Sequence, residues 1–191
     1  DGEGSAVLDV PTRCEAAIDP RIAFQVTSML TDVVERGTGE AVRAYGVTFP
    51  VAGKTGTTND FKDAWFAGYS TSLVAVVWVG FDQPAPMGRD WYGARVAGPI
   101  WADFMRRAAR TRRPGRFEPP DGLRAERLCR VSYARPASGC PTYAEYFKDG
   151  DLVPARLCSQ HEGTFGQEVR KATEGVLGWL ARRILGRAQT P

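Results

Sequence analysis

The fold is decided by the run Val51-Ala52-Gly53-Lys54-Thr55-Gly56-Thr57-Thr58, in which six consecutive positions hold one lysine, three threonines and two glycines. Lysine supplies positive charge, threonine hydroxyls donate hydrogen bonds, and glycine lets another backbone come close. Pro50 favours an extended conformation for the residue before it, so the chain enters the run as a strand. The run therefore predicts a strand whose edge can hold a carboxylate. The alternative is an ordinary surface strand, in which threonine is common and lysine guards an edge.

Two further strands are predicted downstream, at 64–69 and 73–81. Their three-residue connection permits only antiparallel pairing. The segment 73–81 is apolar almost throughout, which predicts a strand covered on both faces. Trp65 is expected to be a core aromatic, and Asp63 a turn residue.

One helix is predicted before these strands in the chain and another after them. Asp19 and Pro20 indicate the start of the first helix, and Gly37 indicates its end. Residues 82–97 indicate a loop, and Gly98 opens the second helix. The arrangement is typical of an α+β domain, an antiparallel sheet covered by helices. The expected buried stripes are Ile22, Val26, Met29, Leu30, Val33 and Val34 in the first helix, and Ile100, Trp101, Phe104, Met105 and Ala108 in the second.

The tripeptide Gly53-Lys54-Thr55 also occurs in nucleotide-binding P-loops. That motif requires a glycine five residues before Gly53, where this chain has Thr48, and a helix after the Lys-Thr pair, where strands are predicted. The sequence therefore excludes a P-loop.

Lys-Thr-Gly is also the third motif of the penicillin-binding protein and serine β-lactamase set. This chain resembles bifunctional (class A) penicillin-binding proteins well beyond that motif. The resemblance covers roughly residues 19–110 and implies an incomplete transpeptidase fold followed by a C-terminal extension. It is carried by 29–39 (MLTDVVERGTG), 52–60 (AGKTGTTND), 62–69 (KDAWFAGY), 77–82 (VWVGFD) and 97–101 (AGPIW) with Phe104-Met105.

The resemblance implies a serine D,D-transpeptidase that cross-links peptidoglycan through D-Ala-D-Ala stem peptides and binds β-lactams. Lys54 would supply the positive field and help proton transfer. The Thr55 and Thr57 hydroxyls would bind the terminal carboxylate, and Gly56 would let the substrate approach. The Thr57 backbone N–H would be an oxyanion donor. No cofactor is expected.

The family's nucleophile motif Ser-x-x-Lys and its second motif Ser-x-Asn occur at none of the seven serines. We therefore expect the chain to be part of a longer protein whose nucleophile lies upstream, and to be inactive alone. The alternative is a non-catalytic cell-envelope module that binds peptidoglycan or a protein partner. The resemblance implies an extracytoplasmic, periplasmic-face location for the parent, an upstream membrane anchor, and a peptidoglycan glycosyltransferase domain.

A composition shift near residue 110 divides the chain into 1–112, an Arg/Pro-rich linker at 113–120, and a small extension at 121–191 that ends in an amphipathic helix at 166–187. The resemblance implies that 1–112 is the C-terminal part of a transpeptidase domain. The arginine-rich linker and the basic helix can contact a membrane surface, although a solvated connector and a helix docked on its own domain are the simpler interpretations. The net charge of +3 is too small to indicate nucleic-acid binding.

Three interpretations stay open for a group of possible ligands or disulfide partners in the C-terminal third, Cys129, Cys140, Cys158 and His161. Cys-x-x-His is a metal-ligand spacing, and three thiolates with one imidazole form a structural zinc set, but the other spacings are irregular. Disulfides are the default for an exported protein, which the resemblance implies. We therefore expect a Cys140–Cys158 disulfide first, free thiols second and zinc third, and predict no metal site. Cys14 is expected to be a small buried residue.

Overall fold

The computed structural model describes residues 15–161, which form two compact units that divide between Asp121 and Gly122. The first unit contains three antiparallel strands in the order β1-β2-β3, together with three α-helices. This confirms the predicted α+β fold class. The elements are α1 (Pro20–Arg36), α2 (Ala41–Ala44), β1 (Ala52–Thr57), a 3-10 turn (Asn59–Phe61), β2 (Asp63–Tyr69), β3 (Val74–Gly80) and α3 (Gly93–Ala108).

Helix α1 begins and ends where the sequence predicts. The Asp19 carboxylate accepts a hydrogen bond of 2.8 Å from the Arg21 N–H, and Pro20 occupies the first turn, where a missing N–H costs nothing. At the other end, the Gly37 N–H donates to the Val33 carbonyl at 3.1 Å. Of the predicted stripe, Val34 is fully buried, whereas Val26 and Met29 are exposed among the described residues.

The core of the first unit lies between the sheet and the helices. The Phe66 ring on β2 packs on Trp101 of α3, with ring centroids 4.7 Å apart, and the Trp101 indole N–H donates to the Ala75 carbonyl at 2.9 Å. Gly68 is required here, because a Cβ at that position would lie 2.7 Å from the Trp101 ring. The buried core residues are Val34, Val42, Val47, Val51, Phe66, Ala97, Trp101, Ala102 and Met105.

Helix α3 begins at Gly93, so the predicted loop 82–97 is wrong over its last five residues. Pro99 lies inside the helix rather than at its start. The early turns form because small residues, Ala94 and Ala97 among them, are buried against the sheet, and this contact outweighs the glycine and proline signals. Trp101 and Met105 are buried as predicted, but Ile100 and Phe104 are exposed.

Strand β3 is covered on one face only by the described residues, so the prediction of two covered faces is wrong. Val74, Val76 and Trp78 are 71%, 57% and 42% exposed. The alternate residues Ala75, Val77 and Val79 pack against the core. Trp65, expected in the core, lies with Trp78 on the exposed face, with ring centroids 6.1 Å apart.

The second unit contains an antiparallel pair of strands, β4 (Leu123–Cys129) and β5 (Thr142–Lys148). In the same unit, Arg135 forms an isolated parallel bridge with Leu157. Within residues 15–161, no helix combines the length and the apolar character needed to cross a bilayer. Cys14 and the predicted helix 166–187 lie outside the described residues. The predicted division into 1–112, 113–120 and 121–191 stays a prediction.

Candidate functional site

The Lys54–Thr57 run lies on β1, which among the described strands pairs with β2 alone. Directly opposite residues share a face of the sheet. Thr55 is opposite Phe66 and therefore faces the helix-covered side, together with Thr57. Lys54 and Gly56 belong to the other face.

The backbone of β1 presents Thr55 and Thr57 to the open edge. The Thr58 N–H donates to the Asp63 carbonyl at 3.1 Å, so Thr58 is a hydrogen-bonded partner of β2. Every second residue of an antiparallel strand points its N–H and C=O the same way. Gly56 and Lys54 therefore direct their backbone groups at β2, whereas Thr57 and Thr55 direct theirs away from it.

The Lys54 ammonium lies at this open edge. Its Nζ donates to the Thr55 carbonyl at 2.8 Å and contacts the Thr55 hydroxyl at 3.3 Å. Within residues 15–161, no carboxylate forms an ion pair with Lys54. The edge therefore carries a positive charge that the described carboxylates leave available to an anion.

Each threonine hydroxyl of the run contacts a different neighbouring element. Thr55 Oγ1 donates to Thr38 Oγ1 at 2.9 Å, in the turn that follows α1. Thr57 Oγ1 accepts from the Gly93 N–H at 3.1 Å, at the start of α3, and keeps its own proton for donation. The positive end of the α3 dipole therefore lies beside Thr57, where it favours negative charge.

Two neighbours of the site, Thr38 and Gly93, were not predicted as site residues. A Cβ on Gly93 would lie 2.3 Å from the Trp65 carbonyl oxygen and 2.6 Å from that of Gly56, so only glycine permits this contact. The one available signal for Thr38 was a hydroxyl flanked by glycines at 37 and 39. Gly93 lay within the predicted loop, where nothing local distinguished it.

Asp63 closes the turn between β1 and β2. Its backbone N–H donates to the Thr58 hydroxyl at 2.8 Å, and its carboxylate accepts from the Thr58 hydroxyl at 3.1 Å and from the Trp78 indole N–H at 2.9 Å. One carboxylate thus connects all three strands beside the candidate site. The site as a whole offers a cation, hydroxyls and an open backbone edge, a set that suits an anionic peptide.

The sequence matches the family described as the penicillin-binding protein transpeptidase domain over residues 8–106. The chain belongs to this family. It is 46% identical over 146 residues to penicillin-binding protein 1A of Pseudomonas aeruginosa, covering 76% of this chain and 18% of the relative. It is 48% identical over 108 residues to the protein of that name from Neisseria lactamica, covering 56% of this chain and 13% of the relative.

A solved transpeptidase-family structure shows the same fold. Penicillin-binding protein 1A from Haemophilus influenzae aligns with a TM-score of 0.64 and 28% identity, over 74% of this chain and 22% of that one. The resemblance stated from the motifs is thereby confirmed. The chain spans less than a fifth of the length of these curated relatives.

The predicted disulfide partners Cys140 and Cys158 are free thiols in the structure. Instead of pairing with each other, they lie in one cluster with Cys129 and His161. Hydrogen bonds with the Ser132 and His161 side chains lower the pKa of the Cys158 thiol to about 5. Burial raises the pKa of the Cys140 thiol to about 11, and the contact with Cys158 raises the pKa of His161.

Proposed function

We propose that this chain supplies the substrate-binding wall of a serine D,D-transpeptidase that cross-links peptidoglycan. The observation that carries the proposal is the open edge of β1, which aligns the Thr57 N–H, the Thr57 hydroxyl and the Lys54 ammonium in a transpeptidase-family chain. The proposed substrates are D-Ala-D-Ala stem peptides, with β-lactams as mimics.

The backbone groups along the open edge of β1 explain how a peptide would be bound. A stem peptide can add to β1 as a further strand, because Thr55 and Thr57 point their backbone groups away from β2. A carbonyl placed over the Thr57 N–H would be polarised by it, and Gly56 leaves room above the strand. Loss of one such oxyanion donor typically slows acyl transfer by about a hundredfold to a thousandfold.

The positive charges beside β1 explain how the terminal carboxylate of the substrate would be bound. The Lys54 ammonium and the α3 dipole both favour an anion, and the Thr57 hydroxyl retains a proton to donate. Thr55 would complete this clamp by turning its hydroxyl proton from Thr38 Oγ1 to the carboxylate. Lys54 would also help to move the proton of the attacking serine, which belongs to the Ser-x-x-Lys motif expected upstream.

The reaction we propose for the parent proceeds in two acyl transfers. The upstream serine attacks the carbonyl between the two D-alanines, D-alanine leaves, and a neighbouring amine then takes the acyl group from the serine. The parent would act on the periplasmic face, anchored by an upstream segment, and would carry a glycosyltransferase domain. Membrane-surface contact through the arginine-rich linker or the basic C-terminal helix belongs to the same proposal.

The test is intact-mass measurement after incubation with a labelled penicillin. We expect no adduct on the 191-residue chain and one adduct on a protein extended upstream through the Ser-x-x-Lys motif. An adduct on a serine of the short chain would contradict the proposed division of the site. An extended protein that lacks the motif, or stays unmodified, would instead support the non-catalytic envelope module.

Thr57→Val in the extended protein tests the clamp itself. Hydrogen bonds to charged groups contribute about 1.5–3 kcal/mol, so acylation should slow by about tenfold to a hundredfold. Thr58→Val is the matched control, because the Thr58 hydroxyl bonds to Asp63 instead of facing the clamp, and its acylation rate should stay unchanged. Equal acylation rates for the two variants would contradict a role of the Thr57 hydroxyl in binding the carboxylate.

A further inference from the structure

Four side chains of the types that can ligate a metal lie close together in the second unit. Cys129 ends β4, Cys140 lies just before β5, and Cys158 and His161 follow β5. The three sulfurs and one His161 ring nitrogen all lie within 4.8 Å of one another. Cys129 and Cys158 have sulfurs 3.6 Å apart, and His161 Nδ1 lies 3.4 Å from the first and 3.3 Å from the second.

These distances match the edges of a small tetrahedron. With zinc–sulfur bonds of about 2.3 Å and zinc–nitrogen bonds of about 2.05 Å, tetrahedral geometry places sulfurs about 3.8 Å apart and sulfur and nitrogen about 3.6 Å apart. A disulfide would bring two sulfurs to about 2.05 Å and leave the other two groups without a role. The three distances among Cys129, Cys158 and His161 are close to these values, and Cys140 Sγ lies within 4.8 Å of the other three atoms.

Backbone amides support two of the sulfurs. The Val131 N–H points at Cys129 Sγ at 3.4 Å, and the Ala137 N–H donates to Cys140 Sγ at 3.2 Å. Amide donors to sulfur stabilise thiolates and fix the orientation of metal ligands. Both donors come from turns that the chain folds around the cluster, so the sulfurs are held in place by local backbone.

The cluster is also the buried core of the part of the second unit that the structure describes, residues 122–161. The buried group consists of Cys129, Ala134 and Cys158, with Ala137 and Cys140 packed against it. The few apolar side chains buried within 122–161 remove little surface from water, and small units with little apolar core generally need a disulfide or a metal. The three cysteines form no disulfide in the structure, so a bound metal would supply the cross-link that this small core lacks.

We propose that Cys129, Cys140, Cys158 and His161 bind one structural Zn²⁺. Three thiolates and an imidazole are soft ligands that select zinc over calcium or magnesium. All four corners are filled by protein, so the site leaves no open position for catalysis. The sequence ranked zinc last because the other ligand spacings are irregular and a disulfide is the default for an exported protein. The β4–β5 pairing brings Cys129 close to Cys140, and the bridge between Arg135 and Leu157 places Cys158 beside them.

The first experiment measures zinc and thiols on the whole chain, purified with zinc in the medium and without reductant. We expect about one zinc per chain by elemental analysis and four reactive thiols after denaturation. Reloading with Co²⁺ should produce the absorption bands of tetrahedral cobalt thiolate. Absence of bound metal, or a thiol count reduced by two through a disulfide, would overturn the proposal.

Substitution of single ligands tests whether these residues bind the zinc. Cys140→Ser and His161→Ala should each lower the zinc content of the chain to about a tenth or less, because a three-ligand site binds far more weakly. Cys14→Ser is the matched control and should retain full zinc. Full zinc in both ligand variants, or its loss in the control, would overturn the assignment. The cobalt spectrum of the unaltered chain keeps the test valid if a ligand variant fails to fold.

Discussion

Gly93 joins the candidate binding strand to the helix behind it. Its N–H donates to the Thr57 hydroxyl, and its Cα lies directly on the backbone of β1 and β2. Any side chain would collide with two carbonyl oxygens, which are too rigid to move aside. A single glycine therefore decides how closely α3 approaches the Lys54–Thr57 run.

Gly93→Ala is expected to destabilise the chain by about 1–3 kcal/mol, because the start of α3 must shift away from the sheet. Gly98→Ala on the same helix is the matched control. A Cβ there would meet its nearest atoms at an ordinary 3.7 Å, and alanine is the better helix former, so stability should be unchanged or higher. Urea unfolding followed by tryptophan fluorescence measures both. A midpoint for Gly93→Ala at or above that of the unaltered chain would refute the contact.

Strand β3 shows how one element divides its side chains between two environments. Side chains alternate along a strand, so Val77 faces the core and its neighbour Val76 faces outward. The same exposed face of the sheet carries Trp78 on β3 and Trp65 on β2, which together form an apolar surface. A patch of this kind commonly marks an interaction surface.

Val77→Thr and Val76→Thr make the same chemical change on opposite faces of β3. Val77→Thr places a hydroxyl against the core and is expected to cost about 1–2 kcal/mol. Val76→Thr should stay within about 0.5 kcal/mol, as surface substitutions usually do. Chemical denaturation of the two variants gives the comparison. Equal losses, or the reverse order, would mean that the strand register is different.

The molecule contains two units, each with a core of its own kind. Among residues 15–161, the first core is built from a cluster of nine buried apolar residues, whereas the second is built around sulfurs. Apolar burial needs no ligand, but a core of three cysteines and a histidine would depend on the proposed zinc for its stability. The two units should therefore respond differently to the same treatment.

Removal of zinc by a strong chelator is expected to speed amide exchange throughout 122–161 and to leave 52–80 unchanged. The reason is that the metal bonds replace an apolar core only in the second unit. Hydrogen-exchange mass spectrometry with and without chelator is the measurement. The same chelator added to the His161→Ala chain should have no further effect. Unchanged exchange in 122–161 of the unaltered chain would contradict a structural metal.

Local sequence signals predicted most elements of the first unit. Asp19 and Pro20 define a helix start through their own backbone chemistry, and the three strands were predicted within one residue of their observed ends. The family followed from the motif blocks, and the matched family confirms it. These features depend on residues close together in the chain, so local propensity and pattern suffice to indicate them.

Tertiary structure decided what local patterns could not. Gly93 became the start of a helix because of its contact with β1 and β2, and the outer face of β3 stayed uncovered because no described element packs there. The cysteines and His161 met only through long-range contacts, namely the pairing of β4 with β5 and the bridge between Arg135 and Leu157. The sequence by itself determined the class of fold, the family and the candidate strand, because these follow from local chemistry. The three-dimensional structure determined which distant side chains meet, because packing free energy depends on neighbours that sequence spacing does not reveal.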